Sequence, residues 1–560
     1  MYIGIDVGGT STDAVLLSNG RVQATAKVYN TPNNLLSDLV QALDTLMKGV
    51  TADEIERVVL STTVITNLIA ERKNDPVGLL LMPGPGCKLQ LYKKPNVHLL
   101  SGTIDYKGRE ITPVVEEEII AAIDDFDSKG IDKVAIVGKF SPRNNRHELQ
   151  VADIVTKLKP NWQVEMGHRD GGKLNFPRRV ATTLFTCATK EKYQSFVYSV
   201  QQALRQRHIN AQVFILKADG GTMPLESSIQ SPVETIFSGP AASTLGAQAL
   251  TPAGETSLVI DIGGTTTDLA LILSGQPLLS SKGVMLDDQF TQVRALAVKS
   301  VPVGGDSIVE AVGKELIIYS ERMGKPYCLG GPLPTPTDAL NVMGLTKLGD
   351  IDKSWAAMEV LSQQTQRSPV EVARNIIDLF VDTVVTEIEN MYLEWEQEPA
   401  YRIWEVMQSR KMRTKNVVGV GGGAMGFVPQ IAIKIGGIPI ISPYATAANA
   451  IGAAVAKPTM QVTLRADTEQ KVYSIEEYGY QGKIEATPFG RDQALNLAKK
   501  WLLDRAAAID IGDQIQEIEV TRQDVFNIVR DMQTTGRIYD VCVQTVRGIQ
   551  WHVDAGGRLI

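Results

Sequence analysis

The chain has 560 residues, of which 44% are apolar and 21% charged, and its formal net charge is −7. A chain of this length exceeds one hydrophobic core, so we predict two or three domains, and its composition excludes a disordered or fibrous protein. The mild negative charge argues against nucleic-acid binding, which needs a basic face. Four widely spaced cysteines, no leader-like start and no membrane-length apolar run predict a cytoplasmic protein without a membrane partner.

The first predicted domain, residues 1–180, alternates helical and strand patterns, which is typical of α/β architecture. Two hairpin-like strands are followed by a helix at 34–48. The later patterns are buried strands and one further helix: strands at 57–62, 77–84 and 133–140, and a helix at 115–126. We predict that residues 181–250 form a helical connector. It contains a helix at 182–207 and ends in "SGPAASTLGAQAL", whose small side chains let another element approach closely.

The second predicted domain, residues 251–457, contains a long helix at 369–395 and a strand at 416–420. This strand leads into the glycine cluster "GVGGGAMG". Residues 458–560 differ in character, with a helix at 491–508 among strands such as "IYDVCVQTV". We predict a small α+β appendage there, and its sequence indicates no function.

One octapeptide occurs twice, as "DVGGTSTD" from Asp6 to Asp13 and as "DIGGTTTD" from Asp261 to Asp268. Six of the eight positions are identical, and apolar runs flank both copies. The turn that follows each copy also contains a glycine, and these two glycines, Gly20 and Gly275, are separated by the same number of residues as the two octapeptides. Each copy therefore predicts strand, glycine turn, strand, and a repeat at one long interval indicates two similar halves rather than a solenoid.

The repeated turn has the chemistry of a phosphate site. Adjacent glycines expose backbone N–H groups, and neighbouring hydroxyls add further donors for phosphate oxygens. The predicted phosphate-binding residues are Gly8, Gly9, Thr10, Ser11, Thr12, Gly263, Gly264, Thr265, Thr266 and Thr267. The carboxylates of Asp6 and Asp261 would repel phosphate unless a divalent cation lies between, so they predict magnesium. A tight hairpin without a ligand explains either copy alone equally well; two copies in register favour the phosphate interpretation.

Other motifs extend this hypothesis. The chain has no GxxxxGK[ST] motif, which excludes a P-loop protein. Gly421, Gly422 and Gly423 follow a predicted strand and suit the adenosine end of a nucleotide, where bare backbone lets base and ribose lie flat. A loose dinucleotide-type glycine pattern in the same cluster is a weak signal.

Three further segments carry candidate substrate residues. Thr62, Thr63 and Asn67 follow a strand end, where α/β sites gather, and an equally good interpretation is a helix N-cap. A second set is Gly304, Gly305 and Asp306 in "VPVGGDSI". The segment "HRDGGKLNFPRR" with His168, Arg169, Arg178 and Arg179 could bind an anion, but the pattern favours a solvated loop.

The order of these motifs resembles the actin-like ATPase superfamily of sugar kinases, actin and Hsp70 chaperones. Over about residues 1–456 the chain most resembles the hydantoinase A/5-oxoprolinase family within it. The motifs that support this are "STTVITNLIAERK", "ADGGTMP", "SGPAASTLGA", "GGPLPTPTDALNVMG" and "ATAANAIGAA". The resemblance implies an α/β fold with two ribonuclease-H-like domains, a nucleotide cleft between them and the C-terminal α+β appendage. Asp306 departs from the family, which more often has glycine there.

The resemblance also implies an activity: ATP-dependent opening of a cyclic amide such as a hydantoin, 5-oxoproline or a lactam. ATP and Mg²⁺ are then the cofactors, with Asp6, Asp13, Asp261 and Asp268 as catalytic acids and Asp6 and Asp261 as metal ligands. A separate B-type hydrolase subunit is the implied partner, in a hetero-oligomer. The alternatives are an ATP-driven reactivating chaperone or activator, a small-molecule kinase, and an ATP-dependent ketone carboxylase subunit.

Overall fold

A computed structural model describes residues 1–9, 11–31, 35–87, 90, 95–397, 413–485 and 488–554. Its helices are α1 Leu35–Leu46, α2 Val64–Ala70, α3 Glu116–Ser128, α4 Arg146–Leu158, α5 Gly167–Asp170, α6 Phe176–Arg205, α7 Ser238–Ala249, α8 Pro336–Val342, α9 Ile351–Thr365, α10 Pro369–Gln397, α11 Ala424–Ile435, α12 Ala448–Val455 and α13 Arg491–Ala508. Across these described ranges, no helix is both long and apolar enough to cross a membrane.

The strands are β1 Tyr2–Val7, β2 Ser11–Ser18, β3 Arg21–Tyr29, β4 Arg57–Thr62, β5 Gly78–Met82, β6 Val97–Leu99, β7 Thr103–Ile104, β8 Glu110–Thr112, β9 Lys133–Gly138, β10 Gln163–Met166, β11 Gln212–Leu216, β12 Thr222–Pro224, β13 Ser257–Ile262, β14 Thr267–Leu273, β15 Gln276–Pro277, β16 Met285–Leu286, β17 Gln289–Phe290, β18 Val298–Val301, β19 Val309–Val312, β20 Glu315–Ile318, β21 Asn416–Val420, β22 Ile438–Ile441, β23 Gln461–Asp467, β24 Val472–Ile475, β25 Tyr480–Lys483, β26 Ile518–Arg530 and β27 Gln533–Thr545. The predicted α/β class is confirmed as a mixed α/β fold with several sheets.

The duplication seen in the sequence extends to the sheets. The first sheet has the order β12-β11-β4-β1-β2-β3, and the second has β15-β14-β13-β21-β22 with β18 also on β14. In each, an antiparallel hairpin carries the octapeptide and its first strand pairs in parallel with a later strand, β4 or β21. Asp6 pairs with Asp13, and Asp261 pairs with Asp268. The two hairpins are therefore equivalent in register.

Two smaller sheets complete the architecture. The parallel sheet β10-β9-β5-β6 follows the first hairpins, and helices α3 and α4 pack on it. The antiparallel sheet β25-β24-β23-β27-β26 lies in the predicted appendage, where α13 packs against β23 and β27. The helix predicted at 491–508 coincides with α13.

The segment predicted as a helical connector contains strand as well as helix. Helix α6 begins at Phe176, because Asn175 accepts a hydrogen bond from Arg178 N and a proline occupies the first turn, so it runs through residue 180. Strand β11 then pairs in parallel with β4 as part of the first sheet. The division into residues 1–180, 181–250, 251–457 and 458–560 stays a prediction.

The small-residue helix α7 packs against α12, as the sequence predicted. A Cβ on Gly246 would lie 2.0 Å from the carbonyl oxygen of Ala448, and one on Gly452 would lie 2.0 Å from that of Ala242. The two helices therefore touch backbone to backbone, which only glycine allows. Their apolar cluster includes residues of both large sheets, among them Val15, Leu216, Val259 and Ala270. This helix pair joins the two halves.

The prediction of a solvated loop for "HRDGGKLNFPRR" is wrong for His168 and Arg179, whereas Arg169 is exposed and Arg178 partly exposed. His168 and Arg179 are buried, in α5 and at the start of α6. The His168 Nδ1 atom lies 2.5 Å from Glu148 Oε2, and Arg179 Nη2 donates to the carbonyl oxygen of Lys139 at 2.7 Å. Burial is tolerated because a buried carboxylate contacts His168 and backbone carbonyls accept from both terminal nitrogens of Arg179.

Candidate functional site

The two duplicated turns close in the same way. Gly8 N donates to Ser11 O, and Gly263 N donates to Thr266 O, each at 3.0 Å. A Cβ added at Gly9 would meet no heavy atom within 4 Å. The backbone of the first turn is therefore open at Gly9, as a site that binds phosphate through N–H groups requires.

Two of the predicted phosphate donors face into the protein. Thr12 and Thr267 are fully buried. The Thr12 hydroxyl donates to Asn30 Oδ1 at 3.0 Å, and the Thr267 hydroxyl donates to Val303 O at 2.8 Å. These hydroxyls fasten the hairpins, so phosphate contact would fall to other groups of the turns.

The remaining hydroxyls of the turns are placed differently in the two copies. Ser11 donates to Asp13 Oδ2 at 3.1 Å and is largely buried. Thr265 is exposed and Thr266 is partly exposed. Thr10 lies outside the described residues. The second turn thus offers accessible hydroxyls, whereas its backbone at Gly264 lies against Asp306.

The acids of the two halves meet across one amide side chain. Asn449 Nδ2 donates to Asp6 Oδ2 at 3.2 Å, and the Asn449 side chain also hydrogen-bonds Asp261. Asn449 lies in α12, the helix that packs against α7. The structure therefore brings together the two carboxylates predicted as metal ligands.

Burial and mutual repulsion shape the acidity of this cluster. Burial, and then the charges of Asp268 and Asp6, raise the pKa of Asp261 to about 7. Burial also raises the pKa of Asp6, although the hydroxyl of Ser61 opposes this by hydrogen bonding. The pKa of Asp268 is raised by burial as well. Negative charge concentrated in this way favours a bound cation.

The carboxylates at the two hairpins include oxygen atoms that are free to bind a magnesium ion. Asp6 Oδ1 and Asp268 Oδ1 are buried and have no hydrogen-bond partner among the described residues. In that part of the chain, no group of three or more His, Cys, Asp or Glu side chains could hold a metal by itself. Magnesium is commonly bound through one or two carboxylates plus phosphate oxygens and water, so the residues present suit that mode. Asp13 instead pairs with Lys27 at 2.8 Å.

The predicted adenosine cluster lies beside the second hairpin. Gly421 has a φ of +86°, and a Cβ there would lie 2.4 Å from Asp261 Oδ1. Gly423 N donates to Ile262 O at 3.0 Å and caps α11. A Cβ at Gly422 would meet no heavy atom within 4 Å. The cluster therefore contacts the acid at 261 and leaves its central backbone open.

The predicted substrate segment 304–306 forms a layer on the second hairpin. Asp306 N donates to Gly264 O at 2.8 Å. A Cβ at Gly264 would lie 2.4 Å from Asp306 Oδ2, and this carboxylate pairs with Arg322 Nη2 at 3.1 Å. Asp306 thus places a negative charge, partly offset by Arg322, next to the second turn.

The predicted substrate residues of β4 and α2 lie beside the first hairpin. Thr63 occupies the N-cap position of α2, but its hydroxyl donates to Val7 O at 3.2 Å and makes no capping bond. The Thr62 hydroxyl instead accepts from Val64 N at 3.2 Å, so a threonine side chain does hold one amide of the first turn, as the N-cap interpretation predicted. Asn67 is exposed and donates to Thr63 Oγ1 at 3.3 Å. Thr62 is buried, and its backbone N–H donates to Ser238 Oγ at 3.0 Å. A role of these side chains in substrate binding stays a prediction.

Sequence reasoning missed the polar residues that support the acids. Ser61 hydrogen-bonds Asp6, Ser243 hydrogen-bonds Asp261, and Asn449 contacts both. One signal was available: Asn449 is the single polar side chain in the apolar helix "ANAIGAAV". A lone amide in such a helix indicates a specific partner.

The fold and site together define an α/β protein with two equivalent glycine hairpins whose acids converge. Residues 2–158 match the hydantoinase/oxoprolinase N-terminal region, and residues 179–462 match the hydantoinase/oxoprolinase model. The chain therefore belongs to the hydantoinase/oxoprolinase family, as its motifs indicated.

The individual relatives of this chain share low sequence identity with it. The chain is 26% identical over 492 residues to caprolactamase subunit alpha of Pseudomonas jessenii, which is 79% of this chain and 68% of that protein. It is 25% identical over 390 residues to the acetophenone carboxylase gamma subunit of Aromatoleum aromaticum, which is 61% of this chain and 53% of the relative. The alignments thus span about half to two thirds of these relatives' lengths.

Two solved structures share the fold. The nucleotide-free structure of acetone carboxylase superposes with a TM-score of 0.72 at 16% identity. The ATP-dependent caprolactamase from Pseudomonas jessenii superposes with a TM-score of 0.71 at 21% identity. Each match covers 98% of this chain and 88% of the other. At these identities the likeness shows the fold alone.

Proposed function

We propose that this chain is an ATP-dependent enzyme subunit that activates the carbonyl group of a cyclic amide for ring opening. The observation that carries the proposal is the convergence of Asp6 and Asp261, one from each duplicated hairpin, on Asn449. Two phosphate-type turns that meet at paired acids suit a triphosphate with its cation. Membership of the hydantoinase/oxoprolinase family and the caprolactamase relative support the substrate class.

In this proposal the two large sheets are the cores of two ribonuclease-H-like domains of the actin-like type, and the nucleotide lies in the cleft between them. The open backbone at Gly9 and the accessible hydroxyl of Thr265 bind phosphate oxygens. The open backbone at Gly422 accepts the adenosine. The α7–α12 pair lies between the halves and holds them in contact.

The proposed chemistry addresses the stability of a ring amide. The nitrogen lone pair deactivates the carbonyl carbon, and transfer of a phosphoryl group to the carbonyl oxygen turns that oxygen into a leaving group. The chain's task is positioning and charge neutralisation, because phosphoryl transfer needs little covalent help from protein. Magnesium, when bound by Asp6 and Asp261, supplies neutralisation of phosphate charge. Asn449 orients these two carboxylates towards one point.

A partner subunit belongs to the proposal. The caprolactamase relative is named as an alpha subunit, and the acetophenone carboxylase relative is named as a gamma subunit. We therefore propose that hydrolysis of the activated amide takes place on a second, B-type chain.

A second candidate is the activating subunit of an ATP-dependent ketone carboxylase. The match that favours it is the fold shared with acetone carboxylase, together with the acetophenone carboxylase relative. The same cleft would serve, because phosphorylation of an enolate oxygen or of bicarbonate also needs a positioned triphosphate.

The deciding measurement is phosphate release from MgATP by the purified chain with a panel of small molecules. We expect stimulation by one class among hydantoins, 5-oxoproline and lactams of different ring size. Stimulation only by a ketone with bicarbonate would select the carboxylase. ATP hydrolysis that none of these compounds alters, also after addition of a co-purifying partner chain, would contradict both.

Asn449 provides a prediction about how the acids are held. Asn449→Ala should lower MgATP turnover by about 10- to 100-fold, because the two carboxylates lose the amide that orients them. The half-saturating magnesium concentration should rise as well. Asn390→Ala on α10, the same change away from the cleft, is the matched control. Equal magnesium dependence of the Asn449→Ala variant and the wild-type chain would contradict the assigned role.

A further inference from the structure

A cavity lies at the end of the first sheet opposite the hairpins. Strands β1 and β4 begin there with Tyr2 and Arg57, whereas their other ends carry the candidate site. Its volume is about 480 Å³, which is within the range of small-molecule sites. Its walls also include Lys457, which follows α12, and residues of the C-terminal part of the chain such as Gln514 and Trp551.

Arg57 is the unusual group of this cavity, because it is a buried cation with only 4% of its surface exposed. Its Nη2 atom donates to Thr222 Oγ1 at 2.9 Å and to Ala456 O at 3.0 Å, and Nη1 donates to Gln514 Oε1 at 3.2 Å. Its Nε atom is buried and has no partner within the described ranges. These partners are neutral, as is the Phe214 ring over which the guanidinium carbon lies at 4.2 Å, so the buried charge has no counter-ion among the described residues, which is unfavourable.

A second donor at the cavity is likewise unsatisfied. The Trp551 indole Nε1 is buried without a hydrogen-bond partner among the described residues, while its ring packs edge-on against Tyr2 at 4.8 Å. Lys457 adds a second cation to the lining. Arg57 and Lys457 together make this part of the lining positively charged, which suits an anionic ligand group.

The other side of the cavity carries the opposite charge. Asp513 and Glu517 are exposed and line the cavity from the segment after α13. Glu56 also lines it but already pairs with the amino group of Met1 at 2.8 Å. The cavity thus offers two cations and two available carboxylates.

We propose that this cavity binds a small zwitterion of the amino acid type, with its carboxylate at Arg57 and Lys457 and its ammonium group at Asp513 and Glu517. A purely anionic ligand would leave the two acids opposed to it, and a cation would leave Arg57 unpaired. The inference stands on the cavity and does not need the proposed function. An amino-carboxylate is, however, what ring opening of a cyclic amide yields, so under the proposed function the cavity would bind the product class.

A ligand bound in this cavity should stabilise the folded chain. The first sheet contributes Tyr2 and Arg57, whereas the C-terminal part contributes Gln514 and Trp551. A ligand that contacts both walls stabilises the native arrangement by mass action and raises the unfolding temperature. Trp551 lies in the wall and reports binding through its fluorescence.

The test measures binding of 5-aminopentanoate to the full chain without ATP, by calorimetry and by tryptophan fluorescence. Pentanoate and pentylamine are matched probes with one charge each, and glycine, glutamate and 6-aminohexanoate vary the length. We expect saturable binding of at least one amino acid, with both single-charge probes at least about tenfold weaker. The fluorescence change should disappear in Trp551→Phe.

Variants separate the cavity from the cleft. Asp513→Asn and Lys457→Gln, at positions that are not fully buried, should each weaken binding about tenfold, and they keep the test valid if Arg57→Gln fails to fold. Asp261→Asn should bind the amino acid with unchanged affinity, because the hairpins lie at the other end of the sheet. Equal binding of pentanoate and 5-aminopentanoate, insensitivity to both variants, or no saturable binding of any probe would each overturn the proposal.

Discussion

Asp261→Asn is expected to reduce magnesium-dependent ATP turnover by at least about 100-fold while the chain stays folded. Asp261 lies at the convergence of both hairpins, hydrogen-bonded by Asn449 and Ser243 and in contact with the glycine cluster. An amide keeps the size and part of the hydrogen bonding of the carboxyl group, but it removes the negative charge that would hold a cation beside phosphate.

The same substitution should change the pH dependence of unfolding in metal-free buffer. Folding raises the pKa of Asp261 to about 7, so the native chain binds more protons than the unfolded chain from about pH 4 to pH 7. The wild-type chain therefore loses this part of its stability as the pH rises through that window. Asparagine does not ionise, so the melting temperature of Asp261→Asn should exceed that of the wild type by more at pH 8 than at pH 5.

Asp352→Asn, in the exposed first turn of α9, is the matched control and should leave both properties unchanged. Two results would contradict the assignment of Asp261. One is wild-type ATP turnover by Asp261→Asn at saturating magnesium. The other is a melting-temperature difference that does not depend on pH.

The sequence predicted those features of the fold that are local or repeated. The octapeptide marks a hairpin because glycine pairs and flanking apolar runs act over a few residues, and its second copy set the register of Asp261 against Asp268. Helix α13 was predicted at its observed bounds, since its pattern needs no distant partner. Strand β11 was missed because its place in the first sheet depends on β4, far earlier in the chain.

The candidate site shows the same limit. The sequence placed the acids and the glycines but could not show that Asn449 reaches Asp6, a contact set by the packing of α12 against the sheet. From the sequence, every hydroxyl next to the glycine pairs was predicted to bind phosphate. Strand register turns Thr12 and Thr267 inward, which periodicity within so short a turn did not reveal. The burial of Arg179 depends on carbonyl groups at the end of β9, which no local pattern identifies.

Gly421 and Gly422 are adjacent, but the same substitution should destabilise the fold at Gly421 and leave its stability unchanged at Gly422. Gly421→Ala should lower the free energy of unfolding by at least about 2 kcal/mol and reduce ATP turnover about 100-fold. The new Cβ would lie 2.4 Å from Asp261 Oδ1 and 2.6 Å from the Ile262 carbonyl oxygen, at a positive φ that alanine disfavours. The end of β13 would have to move, and the acid would move with it.

Gly422→Ala tests the adenosine assignment without this strain. No heavy atom lies within 4 Å of the added Cβ, so unfolding should be unchanged within about 0.5 kcal/mol. If the nucleotide lies on this backbone, the methyl group meets the ligand and should weaken ATP binding in calorimetry about tenfold, with phosphate-only ligands such as triphosphate unaffected. Wild-type ATP affinity in Gly422→Ala would place the adenosine elsewhere. Loss of ATP and triphosphate binding together would move the phosphates, rather than the base and ribose, onto the glycine cluster.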